Sequence, residues 1–112
     1  MAGSLRDRRR TFHVIAILDF DVGPDDGGVA LNQLLTEAPD VRAMKGNIAF
    51  RPYADPLIGT RVTLVHEWES REDFAAYLAS PAFLRSGEKL RPLMAAPPVS
   101  RRFEAQLIET LA

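Results

Sequence analysis

The sequence contains no cysteine and only two histidines, His13 and His66, among its 112 residues. The lack of thiolates excludes a disulfide framework and a cysteine-ligated metal site. His13 and His66 fall in separate predicted strands, and no second histidine or cysteine stands at metal-binding spacing beside either of them. We therefore expect no bound metal.

Motifs that bind cofactors or carry nucleophiles are also missing. The glycine-rich stretch GPDDGG, residues 23–28, is acidic and lacks the lysine of a phosphate-binding loop. The sequence contains no GxSxG nucleophile motif. Neither a flavin nor a nicotinamide has support in the sequence, so we expect no cofactor.

Net charge and the length of the apolar runs limit the classes of partner. The formal net charge is −1, so no overall field favours nucleic acid or anionic lipid. No apolar run approaches the roughly 18 residues of a membrane-spanning helix. We expect a cytoplasmic protein with no nucleic-acid partner and no membrane association.

The N-terminal stretch MAGSLRDRRRT carries a cluster of arginines but no apolar run or cleavage pattern of a signal peptide. The cluster fits either a phosphate-binding arm or a solvated terminus. The second interpretation is favoured because no surface of basic and aromatic residues follows. We predict a flexible arm over residues 1–11 and one domain over residues 12–112; the cluster consists of Arg6, Arg8, Arg9 and Arg10.

Hydrophobic patterning predicts alternating strands and helices. Residues 12–20, FHVIAILDF, form a strand that is apolar on both faces. A helix follows the turn at GPDDGG, and Pro39 ends it. Ser70 and the pair Ser80-Pro81 start two further helices as N-caps. The remaining strands are predicted over residues 47–53, 61–69 and 99–108.

The order β-α-β-β-α-β is that of an α+β ferredoxin-like sandwich with a four-stranded antiparallel sheet. Its helices can cover only one face of the sheet. The apolar second face needs a cover, and a second copy related by two-fold symmetry can supply it. We predict a homodimer, with the last strand at or across the interface.

Three stretches carry a resemblance to a known family: FHVIAILDFDVGPDD, GNIAFRPYADP and VTLVHEWESREDFAAYLASPAF. Together with the last strand they resemble the antibiotic biosynthesis monooxygenase (ABM) family of the dimeric α/β-barrel superfamily, over residues 12–108. The most specific element is the strand-end tryptophan followed by an aromatic helix and Ser-Pro-x-Phe. The resemblance implies cofactor-free oxygenation of aromatic polyketides or quinols, or haem degradation. Residues 70–94 hold no histidine for a haem iron, which disfavours the latter.

The resemblance also implies a pocket between the helices and the sheet. Trp68 falls on the family's strand-end tryptophan and Arg91 on its helix arginine. The family's two asparagine positions hold Leu18 and Leu64, which cannot form hydrogen bonds with a substrate oxygen.

Each candidate residue has a catalytic interpretation and a structural one. His66 is either a general base or a core histidine with satisfied nitrogens. Trp68 is either a stacking wall for a planar substrate or a core aromatic at a strand end. Arg91 either holds a phenolate or carboxylate or lies on the helix surface. Aromatic side chains predicted to line the pocket are Tyr53, Phe74 and Tyr77.

We therefore predict a cofactor-independent monooxygenase that oxidises an electron-rich phenol or hydroquinone, of the aromatic polyketide type, with O2. The alternative is a non-oxidative protein of the same fold. It would be a cyclase-like or isomerase-like accessory protein, or a binding protein for a small hydrophobic molecule.

Overall fold

A computed structural model describes residues 12–112, and the predicted arm at residues 1–11, with its four arginines, lies outside the described residues. The chain forms β1 (Phe12–Asp21), α1 (Gly27–Arg42), β2 (Asn47–Ala54), β3 (Arg61–Trp68), α2 (Arg71–Leu78), α3 (Pro81–Leu90), a 3-10 turn (Arg91–Leu93) and β4 (Val99–Gln106). The strands form one antiparallel sheet in the order β2-β3-β1-β4. This confirms the predicted ferredoxin-like fold.

The register of β1 against β3 places the candidate residues on one face. Ala16 lies opposite His66, and Leu18 lies opposite Leu64. Residues paired directly across a sheet share a face, so Leu18, Leu64 and His66 face the same side of the sheet. All three helices contribute buried side chains to the core on this face.

The first helix is longer than predicted. Proline lacks a backbone N–H and was expected to end the helix, but Pro39 lies inside α1, which continues to Arg42. Ala38 and Val41 are buried on either side of it, and the N–H of Ala43 donates to the carbonyl of Pro39. Burial and this closing hydrogen bond hold the last turn, although proline costs a helix interior about 3 kcal/mol.

The two serine N-caps are formed as predicted. The Ser70 hydroxyl accepts a hydrogen bond from the backbone N–H of Asp73 at 3.1 Å, and the Ser80 hydroxyl accepts one from Phe83 at 3.2 Å. Pro81 then occupies the first turn of α3. These caps fix where α2 and α3 begin, and so fix which of their side chains face the sheet.

The opposite face of the sheet, which we call the outer face, is not covered by any helix of residues 12–112. The side chains of its apolar centre alternate with core side chains along the same strands, as predicted. The ring nitrogen Nδ1 of His13 lies 3.1 Å from a carboxylate oxygen of Glu67 near one end of this face. The apolar centre consists of Ile15, Ile17, Val65 and Phe103.

Within the described residues, no helix is both long enough and apolar enough to span a membrane.

Candidate functional site

His66 lies on β3 inside a shell of aromatic rings, with only 4% of its surface exposed. The ring centroids of Phe74 and Tyr77 are each 5.6 Å from that of His66, and that of Phe50 is 5.9 Å away. All three rings meet the imidazole edge to face, a favourable geometry for aromatic pairs. The imidazole is therefore held in one orientation by packing.

A hydrogen bond from Trp68 determines which nitrogen of His66 carries the proton. The indole Nε1 of Trp68 lies 2.9 Å from Nδ1 of His66. An indole N–H can only donate, so Nδ1 must accept. In the neutral imidazole the proton then resides on Nε2.

The second nitrogen of His66 reaches open space. Among residues 12–112, every buried side-chain nitrogen or oxygen has a hydrogen-bond partner. Among the same residues, the only hydrogen bond of the His66 side chain is the one from Trp68, through Nδ1. Nε2 has no partner among them, so it is not a fully buried atom. His66 thus presents an N–H donor to the space beside it.

Burial keeps His66 neutral. Burial, and to a smaller extent the positive charge of Arg102, lowers the pKa of the imidazole from its ordinary value of 6.5 to about 4. Both causes disfavour the protonated ring. At neutral pH the side chain is therefore an uncharged hydrogen-bond donor.

This depressed pKa predicts a loss of stability in mild acid. Between about pH 6.5 and pH 4 the unfolded imidazole binds a proton that the folded one does not, so the free energy of unfolding falls as the pH falls. The total loss from this group is on the order of 3 kcal/mol. Urea unfolding of the parent and of His66→Phe across this pH range measures it.

The His66→Phe variant should lack this component and show a shallower decline, whereas His13→Gln should keep it. Carboxylates titrate in the same range, but they contribute equally to the parent and the variants. Equal pH dependence in the parent and His66→Phe would contradict a neutral buried imidazole.

A cavity of about 200 Å³ lies beside His66, between the sheet and the three helices. We call it the helix-side cavity. Its wall is mostly apolar, and no aspartate or glutamate of the described chain lines it. The apolar and aromatic residues of its wall include Leu18, Leu34, Leu64, Phe74, Tyr77, Leu78, Phe83, Leu90 and Met94.

The hydroxyl groups of two largely buried residues join His66 in the wall. Ser86 on α3 is 7% exposed, and Tyr77 on α2 is 4% exposed. Neither hydroxyl has a hydrogen-bond partner among residues 12–112. Because every fully buried polar side-chain atom of these residues has a partner, both hydroxyl oxygens reach accessible space. Burial, and to a smaller extent the charge of Glu37, raises the pKa of Tyr77, which keeps its hydroxyl protonated.

Two arginines line the same cavity, one just after α3 and one on β4. Arg91 directly follows α3, and its guanidinium lies over Gly87. A Cβ atom added to that glycine would lie 3.4 Å from Nη2 of Arg91. Arg102 comes from β4, where its Nε donates to the Ser100 hydroxyl at 3.2 Å. Its guanidinium lies 5.1 Å from the centre of the Phe74 ring, within the range of a cation–π contact.

Most of the predicted site residues meet at the helix-side cavity, but Trp68 and Tyr53 do not line it. Trp68 is fully buried behind the wall, with its ring stacked on Tyr77 at a centroid distance of 5.0 Å. Tyr53 pairs with Thr63 on the outer face and is 48% exposed. The residues that line the cavity as expected are Leu18, Leu64, His66, Phe74, Tyr77 and Arg91.

The sequence interpretation overlooked Arg102 and Ser86. Arg102 alternates with outer-face residues on β4, so the sequence pattern could have placed it on the helix face. A charged residue on an exposed strand is, however, also typical of a solvent-facing side chain. Ser86 stands in a helix among charged residues. Only the packing of α3 against α1 and α2 shows that its side chain is buried.

The family assignment follows from the sequence. The family model for antibiotic biosynthesis monooxygenases matches residues 13–89. The chain belongs to the antibiotic biosynthesis monooxygenase family. The matched residues end before Arg91 and β4.

Solved structures share the ABM fold at low sequence identity. A protein from Nitrosomonas europaea that bears the antibiotic biosynthesis monooxygenase name is 18% identical, with a TM-score of 0.79, and the match covers 83% of this chain and 89% of that one. A similarly named protein from Deinococcus radiodurans is 15% identical, with a TM-score of 0.80 and coverage of 88% and 98%.

The protein Rv0793 from Mycobacterium tuberculosis is 22% identical, with a TM-score of 0.78, and the match covers 88% of this chain and 99% of that one. No curated protein matches the chain in sequence. At these identities the structural likeness establishes the fold alone.

Proposed function

We propose that this ABM protein is a cofactor-independent monooxygenase that oxidises an electron-rich phenol or hydroquinone with O2. The observation that carries the proposal is an apolar cavity whose wall presents the unoccupied Nε2–H of a neutral, buried His66. Ligand sites for small aromatic molecules combine apolar walls with a few placed polar groups. Membership of the family supports the same chemistry.

The size of the cavity limits the substrate. A dry apolar cavity of roughly 150 Å³ can hold benzene, and the helix-side cavity has about 200 Å³. One or two fused rings fit this volume. A larger aromatic polyketide would place one end inside and the rest outside the mouth.

The proposed role of His66 differs from the general base suggested by the sequence. Its Nδ1 lone pair is occupied by Trp68, and its pKa is about 4, so it is a weak and obstructed proton acceptor. Its Nε2–H can instead donate to the substrate oxygen. A donor that meets the developing phenolate stabilises the anion, and the phenolic proton passes to solvent.

The reaction balances without a further reductant. The phenolate transfers one electron to O2, and the resulting radical and superoxide combine, which forms a C–O bond at the ring carbon. The O–O bond then breaks, and one oxygen stays as the quinone carbonyl while the other leaves as water with two protons. For a naphthol, one O2 yields one naphthoquinone and one H2O.

The test is oxygen uptake with naphthols and hydroquinones in metal-free buffer, with binding measured anaerobically in parallel. We expect uptake of one O2 per quinone formed, faster than the uncatalysed oxidation. Tight binding without oxygen uptake would overturn the monooxygenase proposal and favour the binding function. The side chains of Leu18 and Leu64 favour that second function, because they give this part of the wall no hydrogen-bonding group.

We also propose that two copies associate through their outer faces. The exposed apolar centre of this face continues along β4 and beyond it, where Phe103 is 47% exposed and Leu107 57%. A lone chain would leave these side chains in water, whereas a second copy would bury them at little cost.

Light scattering at low micromolar protein concentration should give the mass of a dimer. Phe103→Arg should shift the protein toward the monomer, because an unpaired guanidinium would be buried between the two apolar faces. Leu57→Arg is the matched control, since Leu57 is 91% exposed in the loop between β2 and β3. A monomeric parent would end the proposal.

A further inference from the structure

The helix-side cavity contains more positive charge than the proposed reaction of a neutral phenol needs. Arg91 and Arg102 both line it, and the cavity wall contributes no carboxylate from residues 12–112. Neither arginine forms a salt bridge with an acidic side chain of those residues. Two cations at one apolar cavity favour a ligand that carries a negative charge.

The acidic residues near Arg102 already have partners. Glu104, which follows on the same face of β4, accepts from the Nε of Arg71 at 2.8 Å. Asp19 on the outer face accepts from Thr63 at 2.6 Å and contacts Arg101 at 3.5 Å. Within residues 12–112, the guanidinium of Arg102 contacts the Ser100 hydroxyl and the face of Phe74, and it pairs with no carboxylate.

Each guanidinium has a contact in the cavity wall. That of Arg102 lies 5.1 Å from the centre of the Phe74 ring. That of Arg91 lies against Gly87. Two guanidinium groups at one cavity suit a planar carboxylate, which they can bind through paired N–H donors.

Resting on the proposed function, we propose that the substrate is a one-ring or two-ring phenol that also carries a carboxylate, bound by Arg91 and Arg102 while His66 donates to the phenolic oxygen. The hydroxyl of Ser86, which has no hydrogen-bond partner among residues 12–112, provides a further polar contact in the same cavity. The carboxylate selects and orients the ring.

Anaerobic calorimetry with 1-hydroxy-2-naphthoate and with 1-naphthol tests the proposal independently of oxygenation. The parent should bind the hydroxynaphthoate at least tenfold more tightly than the naphthol, as expected for a charge-assisted pair of hydrogen bonds. Arg102→Gln and Arg91→Gln should each weaken hydroxynaphthoate binding about tenfold and leave naphthol binding unchanged.

Arg101→Gln is the matched control, because Arg101 is the neighbour of Arg102 on β4 but faces the opposite side of the sheet. It should alter the binding of neither compound. Equal affinity of the parent for the two compounds would overturn the proposal, as would an equal loss for both in Arg102→Gln. Selective hydroxynaphthoate binding with no oxygen uptake would uphold the carboxylate site and overturn the proposed oxidation alone.

Discussion

Replacing Trp68 with alanine is expected to lower the free energy of unfolding by about 3–5 kcal/mol. Trp68 is fully buried and is the largest side chain in the core. Its ring stacks on Tyr77, and its N–H is the hydrogen-bond donor to Nδ1 of His66. Alanine would remove both interactions and leave a void. Since small domains are stable by only about 5–15 kcal/mol, the variant should be close to unfolding.

Trp68→Phe separates packing from the hydrogen bond. It retains an aromatic ring but leaves the buried Nδ1 of His66 without its donor, at a cost of about 1–3 kcal/mol. It also removes the constraint on the tautomer, so nitrogen NMR should show a mixture of Nδ1–H and Nε2–H imidazole in place of the Nε2–H form.

Urea unfolding gives the stability of each variant, with Leu57→Ala as a control at an exposed site, where the change should stay within about 0.5 kcal/mol. A loss below about 1 kcal/mol for Trp68→Ala would show that the indole is not a core residue. An unchanged tautomer in Trp68→Phe would show that the packing of the aromatic shell alone orients His66.

Most of the fold could be predicted because the faces of strands and the starts of helices depend on residues that are close together in the sequence. The alternation along β1 and β3 determines which side chains share a face, and the Ser70 and Ser80 caps determine where helices begin. The same logic failed at Pro39, where burial of the flanking Ala38 and Val41 outweighs a local helix-breaking preference. At Pro39, tertiary packing determines that the helix continues.

The site was less predictable because its chemistry depends on distances between elements. His66 and Trp68 share a face, as the strand period requires, but only the three-dimensional arrangement shows that the indole donates to the imidazole instead of lining the cavity. That one hydrogen bond changes the proposed role of His66 from base to donor. The joint position of Arg91 and Arg102 depends likewise on how β4 returns beside β1.

Replacing His66 with phenylalanine is expected to reduce kcat/KM for phenol oxidation about 10²–10³-fold, the typical effect of removing one donor from a developing oxyanion. The phenylalanine ring fits the aromatic shell, so the binding of 1-naphthol should persist. Oxygen-uptake kinetics give the rate, and anaerobic calorimetry gives the binding. His13→Gln, on the outer face, is the control and should retain full activity.

His66→Gln distinguishes donation from general-base catalysis. A glutamine amide can accept from Trp68 through its oxygen and donate to substrate through its nitrogen, but it cannot take up a proton. If His66 acts as a donor, His66→Gln should retain at least tenfold more activity than His66→Phe. The parent should then show no change in kcat between about pH 6 and pH 8 that is due to His66, because its pKa of about 4 lies below that range. If the two variants are equally inactive and the parent loses activity through a group with a pKa near 6.5, His66 is the base, and the hydrogen bond from Trp68 must break during turnover.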